Sequence, residues 1–367
     1  MNKLNIYTEF RDSHKIEALS KEISHLLKKP LNVMEVCGGH THVIMRYGLK
    51  QILPSELQFL HGPGCPVCVM PKERIDHAIA LSTQEDVILT TLGDMMRVPG
   101  SKTSLLEERA KGADVRMVYS PLDSIRIARE NPEKKVIYFA IGFETTTPLT
   151  AALLEMCLKE KVENLFFHVN HLLVPPALHA IMNSDDVRID AFIAPGHVST
   201  ITGTSIYSDI TTRYGVPIVI SGFEPVDILQ SILMIINQIN SKKASVEIQY
   251  RRAVRHDGNP RAQEMVEKYF EVRDTFRWRG LGDIPKSGLK IREEYSHLDA
   301  ELIFRDLLPW EPIDDHTSCL CGEILRGKAK PHDCKVFGKG CTPKHPIGAC
   351  MVSSEGACHA YFKYQSI

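Results

Sequence analysis

The sequence lacks the features that mark membrane, secreted and nucleic-acid-binding proteins. Its longest apolar stretch, residues 228–239, contains four polar residues and is too short to span a bilayer. Residues 1–11 lack the apolar segment of a secretory signal. The formal net charge is -1, so no excess of one sign favours nucleic acid or a membrane surface as a partner. We therefore expect a cytoplasmic protein with no nucleic-acid or membrane partner.

A nucleotide-binding loop of the Gly-x-x-x-x-Gly-Lys-Ser/Thr type is also missing, so nucleotide binding by that route is unsupported. What the chain has instead is ten cysteines in 367 residues. Cytoplasmic thiols stay reduced, so metal binding or redox chemistry explains these cysteines better than structural disulfides do. A chain of this length is too long for one ordinary core, and we expect two or three domains.

Predicted strands and helices alternate between residues 31 and about 240, which is typical of an α/β fold with largely parallel sheets. The triplet Gly-Phe-Glu follows a predicted strand twice, at 142–144 and 222–224, and favours two similar domains. We place α/β domain I at 31–135 and α/β domain II at 136–240.

The composition changes after residue 240. Charged residues are dense up to residue 279, and a cysteine-rich tail follows. We therefore expect a third, smaller iron–sulfur domain at 241–367. Segment 1–30 contains an amphipathic helix that stops at Pro30, and we expect this helix to pack on the third domain.

The first candidate site is Cys37, His40 and His42, which follow a predicted strand at 31–36. In an extended loop these three side chains can converge on one ion, and the intervening glycines allow a ligand to come close. Thiolates and imidazoles suit iron, zinc or copper. The alternative is an ordinary turn, with His40 near the start of the next helix.

The second candidate site is Cys65 and Cys68, which have the Cys-x-x-Cys spacing ahead of a helix predicted to begin near Pro71. Such a pair can bind a metal or cycle between dithiol and disulfide, and a helix amino terminus favours the reactive thiolate. The alternative is half of a structural zinc site, which requires a second pair of ligands nearby.

The third candidate site is the tail, which has six cysteines but no paired Cys-x-x-Cys units of the zinc-ribbon kind. Long, irregular loops between thiolates are compatible with a [4Fe–4S] cluster. We expect the ligands to be Cys321, Cys334, Cys341 and Cys358. Cys350 competes for the fourth position, and a structural zinc is the alternative metal.

Glu144 is a further candidate, in a Glu-Thr-Thr-Thr-Pro segment between a predicted strand and a helix. It can act as a proton acceptor beside an exposed helix terminus. The alternative is a helix start of the usual kind, with a threonine as the cap and Pro148 in the first turn.

Taken together, these motifs resemble the HypD family of [NiFe]-hydrogenase maturation proteins. The resemblance covers nearly the full chain and rests on six segments, namely 37–42 (CGGHTH), 62–68 (GPGCPVC), 142–148 (GFETTTP), 321–327 (CGEILRG), 341–343 (CTP) and 351–356 (MVSSEG). It implies two similar α/β domains and a third domain bearing the cluster.

The resemblance also implies a function. A HypD-like protein is a scaffold for the Fe(CN)2CO group of the hydrogenase active site, and serves the hydrogenase large subunit indirectly. Its partners are a HypC-type chaperone and a HypE-type cyanide donor. By this resemblance Cys37 would bind the iron together with a cysteine of the chaperone. Cys65 and Cys68 would be the redox pair, and the tail would hold the [4Fe–4S] cluster. The alternative function is an iron–sulfur-dependent thiol–disulfide oxidoreductase, and a zinc-stabilised binding module is a third.

Overall fold

The computed structural model describes residues 6–184, 186 and 188–364. The strands, in chain order, are β1 (Leu31–Glu35), β2 (Leu57–His61), β3 (Val87–Leu92), β4 (Val115–Val118), β5 (Lys135–Gly142), β6 (Leu165–His171), β7 (Ala191–Pro195), β8 (Ile218–Ser221), β9 (Val246–Ile248), β10 (Phe270–Val272), β11 (Thr275–Trp278), β12 (Gly282–Pro285) and β13 (Leu289–Ile291).

The helices between these strands are mostly short. They are α1 (Ile6–Glu9), α2 (Ser13–Leu26), α3 (Gly38–Arg46), α4 (Leu49–Ile52), α5 (Pro66–Val69), α6 (Lys72–Ser82), α7 (Leu105–Ala110), α8 (Asp123–Glu130), α9 (Thr147–Lys159), α10 (Val174–Met182), α11 (Gly196–Thr202), α12 (Ser208–Tyr214), α13 (Pro225–Asn240), α14 (Pro260–Tyr269), α15 (Ala300–Ile303), α16 (Cys321–Leu325) and α17 (Ala357–Tyr364). Within the described ranges, none of them combines the length and apolar character needed to cross a bilayer.

Two parallel sheets organise the molecule. The first sheet has the order β2-β1-β7-β8-β9 and the second has the order β4-β3-β5-β6, with every neighbouring pair parallel. Strands β10 and β13 form one antiparallel pair, and β11 and β12 form another. The expected α/β class with largely parallel sheets is therefore confirmed, and two sheets are consistent with two similar domains.

The expected boundary between the two domains does not match the sheets. Strands β3 and β4, which we placed in domain I at 31–135, pair with β5 and β6 in the second sheet. Strands β7 and β8, from the expected domain II at 136–240, join β1 in the first sheet. The reason is that a parallel strand needs a crossover connection, so the next strand in the chain can enter a different sheet. Local patterning identifies each strand but not its partner.

The amino-terminal helix α2 packs against α13 on the first sheet, which corrects its expected place on the third domain. Asp12 caps the helix by accepting a hydrogen bond from the backbone N–H of Lys15. Ile23 is fully buried in an apolar cluster with Ile228 and Ile232 of α13. The apolar face of α2 is thus buried against α13, the longest apolar helix among the described residues.

Residues 241–364 do not pack as a unit separate from the sheets. Strand β9 extends the first sheet, and Gly288 bridges to Leu172 just after the second sheet. All the tail cysteines except Cys334 share one continuous apolar cluster with Met34 of β1 and the cysteine pair. The expected third domain is therefore not confirmed as a separate body.

This packing makes a direct prediction for α2. Replacing Ile23, which is 0% exposed, by alanine should lower the free energy of unfolding by about 2–5 kcal/mol, because it leaves a cavity against α13. The matched control is Ile52→Ala at a side chain that is 42% exposed, which should cost less than about 1 kcal/mol. Urea denaturation measures both. Equal losses in the two variants would contradict the packing of α2 on the first sheet.

Candidate functional site

The first two cysteine loops leave the first sheet side by side. Strands β1 and β2 are parallel, and Glu35 at the end of β1 lies opposite His61 at the end of β2. Cys37 follows β1 and stands at the amino terminus of α3. Cys65 follows β2 and stands at the amino terminus of α5. Because parallel strands end at a common edge, the register alone brings the two loops together.

Backbone contacts hold the two loops against each other. The N–H of Gly38 donates to the carbonyl of Gly64 over 3.2 Å. A Cβ at Gly64 would lie 2.3 Å from the backbone nitrogen of Cys37, so no larger residue fits. The Cys37 loop and the loop that carries the cysteine pair are therefore in direct backbone contact.

Cys65 and Cys68 form a disulfide, with their Cα atoms 5.2 Å apart. Both side chains are buried, and helix α6 begins at Lys72, close to where the sequence predicted it. A small cavity, here called the disulfide cavity, lies between the loops and the tail. It is lined by Gly38, Thr41, His61, Gly62, Gly64, Cys65, Cys68, Leu325, Glu355, Gly356 and Ala357.

The tail closes this cavity over Cys37. A Cβ at Gly38 would lie 2.1 Å from the backbone oxygen of Glu355, so the tail rests directly on the start of α3. Burial raises the pKa of the Cys37 thiol, and the nearby carboxylates of Glu355 and Glu35 raise it further. The Cys37 thiol is thus held in its protonated form unless a cation replaces the proton.

The expectation of an extended loop at 37–42 is wrong, because Gly38–Arg46 forms helix α3. Residues two apart on a helix point in nearly opposite directions, so His40 and His42 diverge. The Nε2 of His42 lies 3.1 Å from the hydroxyl of Tyr364, and its ring meets the edge of that tyrosine. Cys37, His40 and His42 therefore do not converge on one point.

His40 takes part in a stack of three rings. Phe223 lies between the imidazoles of His40 and His197, with ring centroids 4.7 Å and 3.9 Å away. Burial lowers the pKa of His40 to about 4, so its ring is neutral at neutral pH. Its Nδ1 is buried and has no hydrogen-bond partner among the described residues. This nitrogen can therefore bind an external ligand, either through its lone pair or by donating its proton.

Glu144 follows β5 and reaches the start of α10. Its Oε1 accepts a hydrogen bond of 2.9 Å from the backbone N–H of Val174, whereas Oε2 is buried without a partner in the described chain. Burial raises the pKa of Glu144 to about 7. Burial likewise raises the pKa of Tyr207, and charges on Glu144 and Cys37 add to this effect.

A buried polar chain next to Cys37 was not predicted from the sequence. Glu35 accepts hydrogen bonds from the hydroxyl of Thr41 and the backbone N–H of Cys37. His61 lies 2.6 Å from Glu35 through Nδ1 and 2.9 Å from the hydroxyl of Tyr361 through Nε2. A glutamate at the end of an apolar strand, directly before the cysteine motif, is the signal that could have revealed it.

All six tail cysteines line one enclosed space, here called the tail cavity. Its lining is Cys319, Cys321, Ile324, Cys334, Val336, Phe337, Cys341, Gly348, Cys350, Met351 and Cys358. Ala357, in the disulfide cavity, is the neighbour of Cys358 in the chain. One short segment of α17 therefore separates the two cavities.

A group of potential metal ligands also lies away from the cysteine loops. Across the described residues, His77, His168 and Glu301 are the one group of three or more His, Cys, Asp or Glu ligands whose atoms lie within 4.8 Å of one another.

The group formed by His77, His168 and Glu301 already has partners within the protein. His77 bonds to His168 over 3.1 Å and to the carbonyl of Pro309 over 2.9 Å. Glu301 forms ion pairs with the guanidinium groups of Arg74 and Arg273. The buried Arg74 and the partly exposed Arg273 neutralise the carboxylate, so this group is a structural network of the second sheet and not a metal site.

The fold and site define a parallel α/β protein with a buried thiol, a Cys-x-x-Cys disulfide and a cavity lined by six cysteines. A family model for HypD, described as "Hydrogenase formation hypA family", matches residues 14–365. The chain therefore belongs to the HypD family.

Curated relatives match almost the whole chain. It is 52% identical over 365 residues to hydrogenase maturation factor HypD2 of Bradyrhizobium diazoefficiens, covering 97% of this chain and 96% of that protein. It is 47% identical over 353 residues to hydrogenase maturation factor HypD of Escherichia coli, covering 95% and 94%.

The environment of Glu144 predicts a pH effect. Folding raises its pKa from an ordinary 4.5 to about 7, so the folded protein holds this proton more tightly than the unfolded chain does. Stability should therefore fall as the pH rises from about 4.5 to 7, by up to about 3 kcal/mol. Glu144→Gln keeps an oxygen for the Val174 N–H but has no proton to lose, and it should lack this decline.

The free energy of unfolding at pH 5 and pH 8 measures this effect. Glu163→Gln, at an exposed glutamate, is the matched control and should follow the wild type. An identical pH dependence in Glu144→Gln and the wild type would show that Glu144 is not buried as described.

Proposed function

We propose that this chain acts in hydrogenase maturation as the scaffold on which the Fe(CN)2CO group of [NiFe]-hydrogenase is assembled. The observation that carries the proposal is the contact between the Cys37 loop and the Cys65–Cys68 disulfide at one edge of the first sheet, with the tail cavity directly behind it. Membership of the HypD family supports it. A cytoplasmic location remains a prediction.

Iron is the cargo in this proposal, and Cys37 is its ligand on this chain. Burial and nearby carboxylates disfavour a bare Cys37 thiolate, so we expect the thiol to release its proton only when a cation binds and removes the penalty of a buried negative charge. The orphan Nδ1 of His40 makes that residue the second candidate ligand. A cysteine of a HypC-type chaperone would complete the thiolate set, and a HypE-type donor would deliver cyanide. The hydrogenase large subunit would receive the product.

Cys65 and Cys68 are the redox pair in this proposal. Opening their disulfide takes two electrons and two protons and gives two thiols. Glu144, whose Oε2 is unpaired and whose pKa is about 7, can hold a proton at neutral pH. His42 lies on the opposite side of α3, against Tyr364, and we assign it a role in fixing α17 rather than in binding iron.

Cys321, Cys334, Cys341 and Cys358 would hold the resident [4Fe–4S] cluster in the tail cavity. The donor set fits, because these thiols surround an enclosed, mostly apolar space. When bound, such a cluster supplies single electrons. Cys350 and Cys319 line the same space and remain competitors for a ligand position.

A second candidate function is that of an iron–sulfur-dependent thiol–disulfide oxidoreductase without an assembly role. The disulfide between Cys65 and Cys68 is the specific observation in its favour. This alternative requires the isolated chain to turn over an external disulfide, whereas the scaffold requires a bound partner. Both disulfide cysteines are buried beneath the tail, which favours the scaffold.

Replacing Cys37 tests the iron-binding role. The complex with a HypC-type chaperone, purified without air, should show infrared bands of bound cyanide and carbon monoxide. Cys37→Ala should remove more than about nine-tenths of their intensity, since a lost thiolate ligand is not replaced by a neighbour. The visible absorbance of the cluster should be unchanged.

Cys157→Ala is the matched control for this substitution. Cys157 is a buried cysteine of α9 whose thiol donates to the carbonyl of Val162 over 3.0 Å. Its replacement should leave the infrared bands intact. Infrared bands of wild-type intensity in Cys37→Ala would refute the proposed role of Cys37 as an iron ligand.

Single serine substitutions test which tail cysteines are ligands. Substitution of any of Cys321, Cys334, Cys341 and Cys358 should remove more than half of the iron and inorganic sulfide, because one cluster corner loses its thiolate. The same substitution at Cys350 or Cys319 should leave both contents near those of the wild type. Loss of iron in Cys350→Ser with retention in Cys358→Ser would exchange the two assignments.

A further inference from the structure

Arg279 carries a buried charge that the protein does not satisfy. It follows β11, is 3% exposed, and none of its three guanidinium nitrogens has a hydrogen-bond partner in the described ranges. Its Nε lies 3.5 Å from a carboxylate oxygen of Asp315, which is an ion pair without hydrogen-bond geometry. A buried guanidinium with five unused N–H groups is strongly unfavourable unless something else accepts them.

The backbone places Arg279 between the two cysteine sites. Its N–H donates to the carbonyl of Val69, the residue after Cys68, over 2.7 Å. The following residue, Gly280, packs so closely on Gly322 that a Cβ would lie 2.3 Å from the Gly322 Cα. Gly322 is the neighbour of Cys321. The backbone of residues 279–280 therefore contacts both the disulfide segment and the start of the tail.

The side chain of Arg279 and the tail also border a common space. Arg279, Asp315, Cys319 and Gly322 line one cavity. Cys319 also lines the tail cavity. Arg279 and the tail cavity therefore share Cys319 as a neighbour.

We propose that Arg279 is a positioning residue for the group bound by the tail cysteines, donating N–H hydrogen bonds toward its sulfurs and offsetting its negative charge. This inference rests on the iron–sulfur site of the proposed function. Arginine is always charged and presents its donors in a rigid fork, which suits a fixed anionic neighbour. Hydrogen bonds to sulfur and nearby charge are the means by which a protein sets a cluster potential.

The direction of the effect follows from the charge. Reduction adds an electron and makes the bound group more negative, so a fixed cation beside it favours the reduced form. Removing the cation should make the bound group harder to reduce.

The test compares Arg279→Gln, Arg279→Lys and the wild type as full chains purified without air. Iron and sulfide contents are measured first, and then the reduction potential by titration monitored with electron paramagnetic resonance. Arg279→Gln should lower the equilibrium constant for one-electron reduction by at least about tenfold, which corresponds to about 59 mV. Arg279→Lys keeps the charge and should retain most of the wild-type potential.

Arg277→Gln is the matched control. It removes an arginine two residues away on β11, whose guanidinium pairs with Asp314 and Glu73 nearer the surface. Its potential should equal that of the wild type. If the reduction potential shifts equally in Arg277→Gln and Arg279→Gln, the effect comes from general surface charge, and the proposal is overturned.

Stability without the cluster separates this role from a purely structural one. In the cluster-free chain, Arg279→Gln should be at least as stable as the wild type, because it removes an unsatisfied buried charge. A structural role through Asp315 predicts a loss of stability with or without the cluster. A variant that fails to fold when cluster-free would therefore overturn the proposal, and one that folds but no longer loads iron would support it.

The outcomes also distinguish this inference from the proposed function. Wild-type protein without iron and sulfide would refute the iron–sulfur site itself, and the role of Arg279 with it. Wild-type protein with a cluster, together with an unchanged potential in Arg279→Gln, would refute the role of Arg279 alone.

Discussion

Strands β1 and β2 run parallel with Glu35 opposite His61, and this register determines the geometry of the whole site. It places the Cys37 loop and the Cys65 loop at one sheet edge, where Gly64 leaves just enough room for the Cys37 backbone. A shift of one residue would turn every strand side chain to the opposite face and separate the loops. The buried polar chain from Glu35 through His61 to Tyr361 fixes the register, because each of these groups needs its partner.

The tail covers the site that the first sheet positions. Glu355 rests on Gly38 and covers Cys37, while the neighbouring cysteines turn into their own cavity. The disulfide and five of the six tail cysteines thus belong to one apolar cluster, all except Cys334. Enclosure raises the cost of every unpaired charge, and His40 and Arg279 are two of the buried groups that have unsatisfied nitrogens in the described chain.

The sequence was sufficient to predict the strands, the helices and the cysteine sites, but not which strands pair with each other. The apolar runs at β1, β2 and β5 and the helix after Pro71 were predictable, because burial and turn residues are local signals. The assignment of β3 to the second sheet depends on long-range pairing, which no local pattern encodes. Gly38 and Gly39 suggested an extended loop, whereas the structure forms helix α3 and sends His40 and His42 apart. The sequence contains many arginines, and only the packing shows that the guanidinium of Arg279 has no hydrogen-bond partner among the described residues.

The central claim is that the tail cavity binds several iron atoms directly behind the disulfide of the Cys37 site. Anomalous X-ray diffraction from crystals grown without air, measured at the iron and zinc absorption edges, tests it most directly. The account predicts a strong iron signal inside the cavity lined by Cys321, Cys334, Cys341 and Cys358, with Arg279 facing it. A zinc signal there, or no metal in a cavity with all six thiols intact, would contradict it.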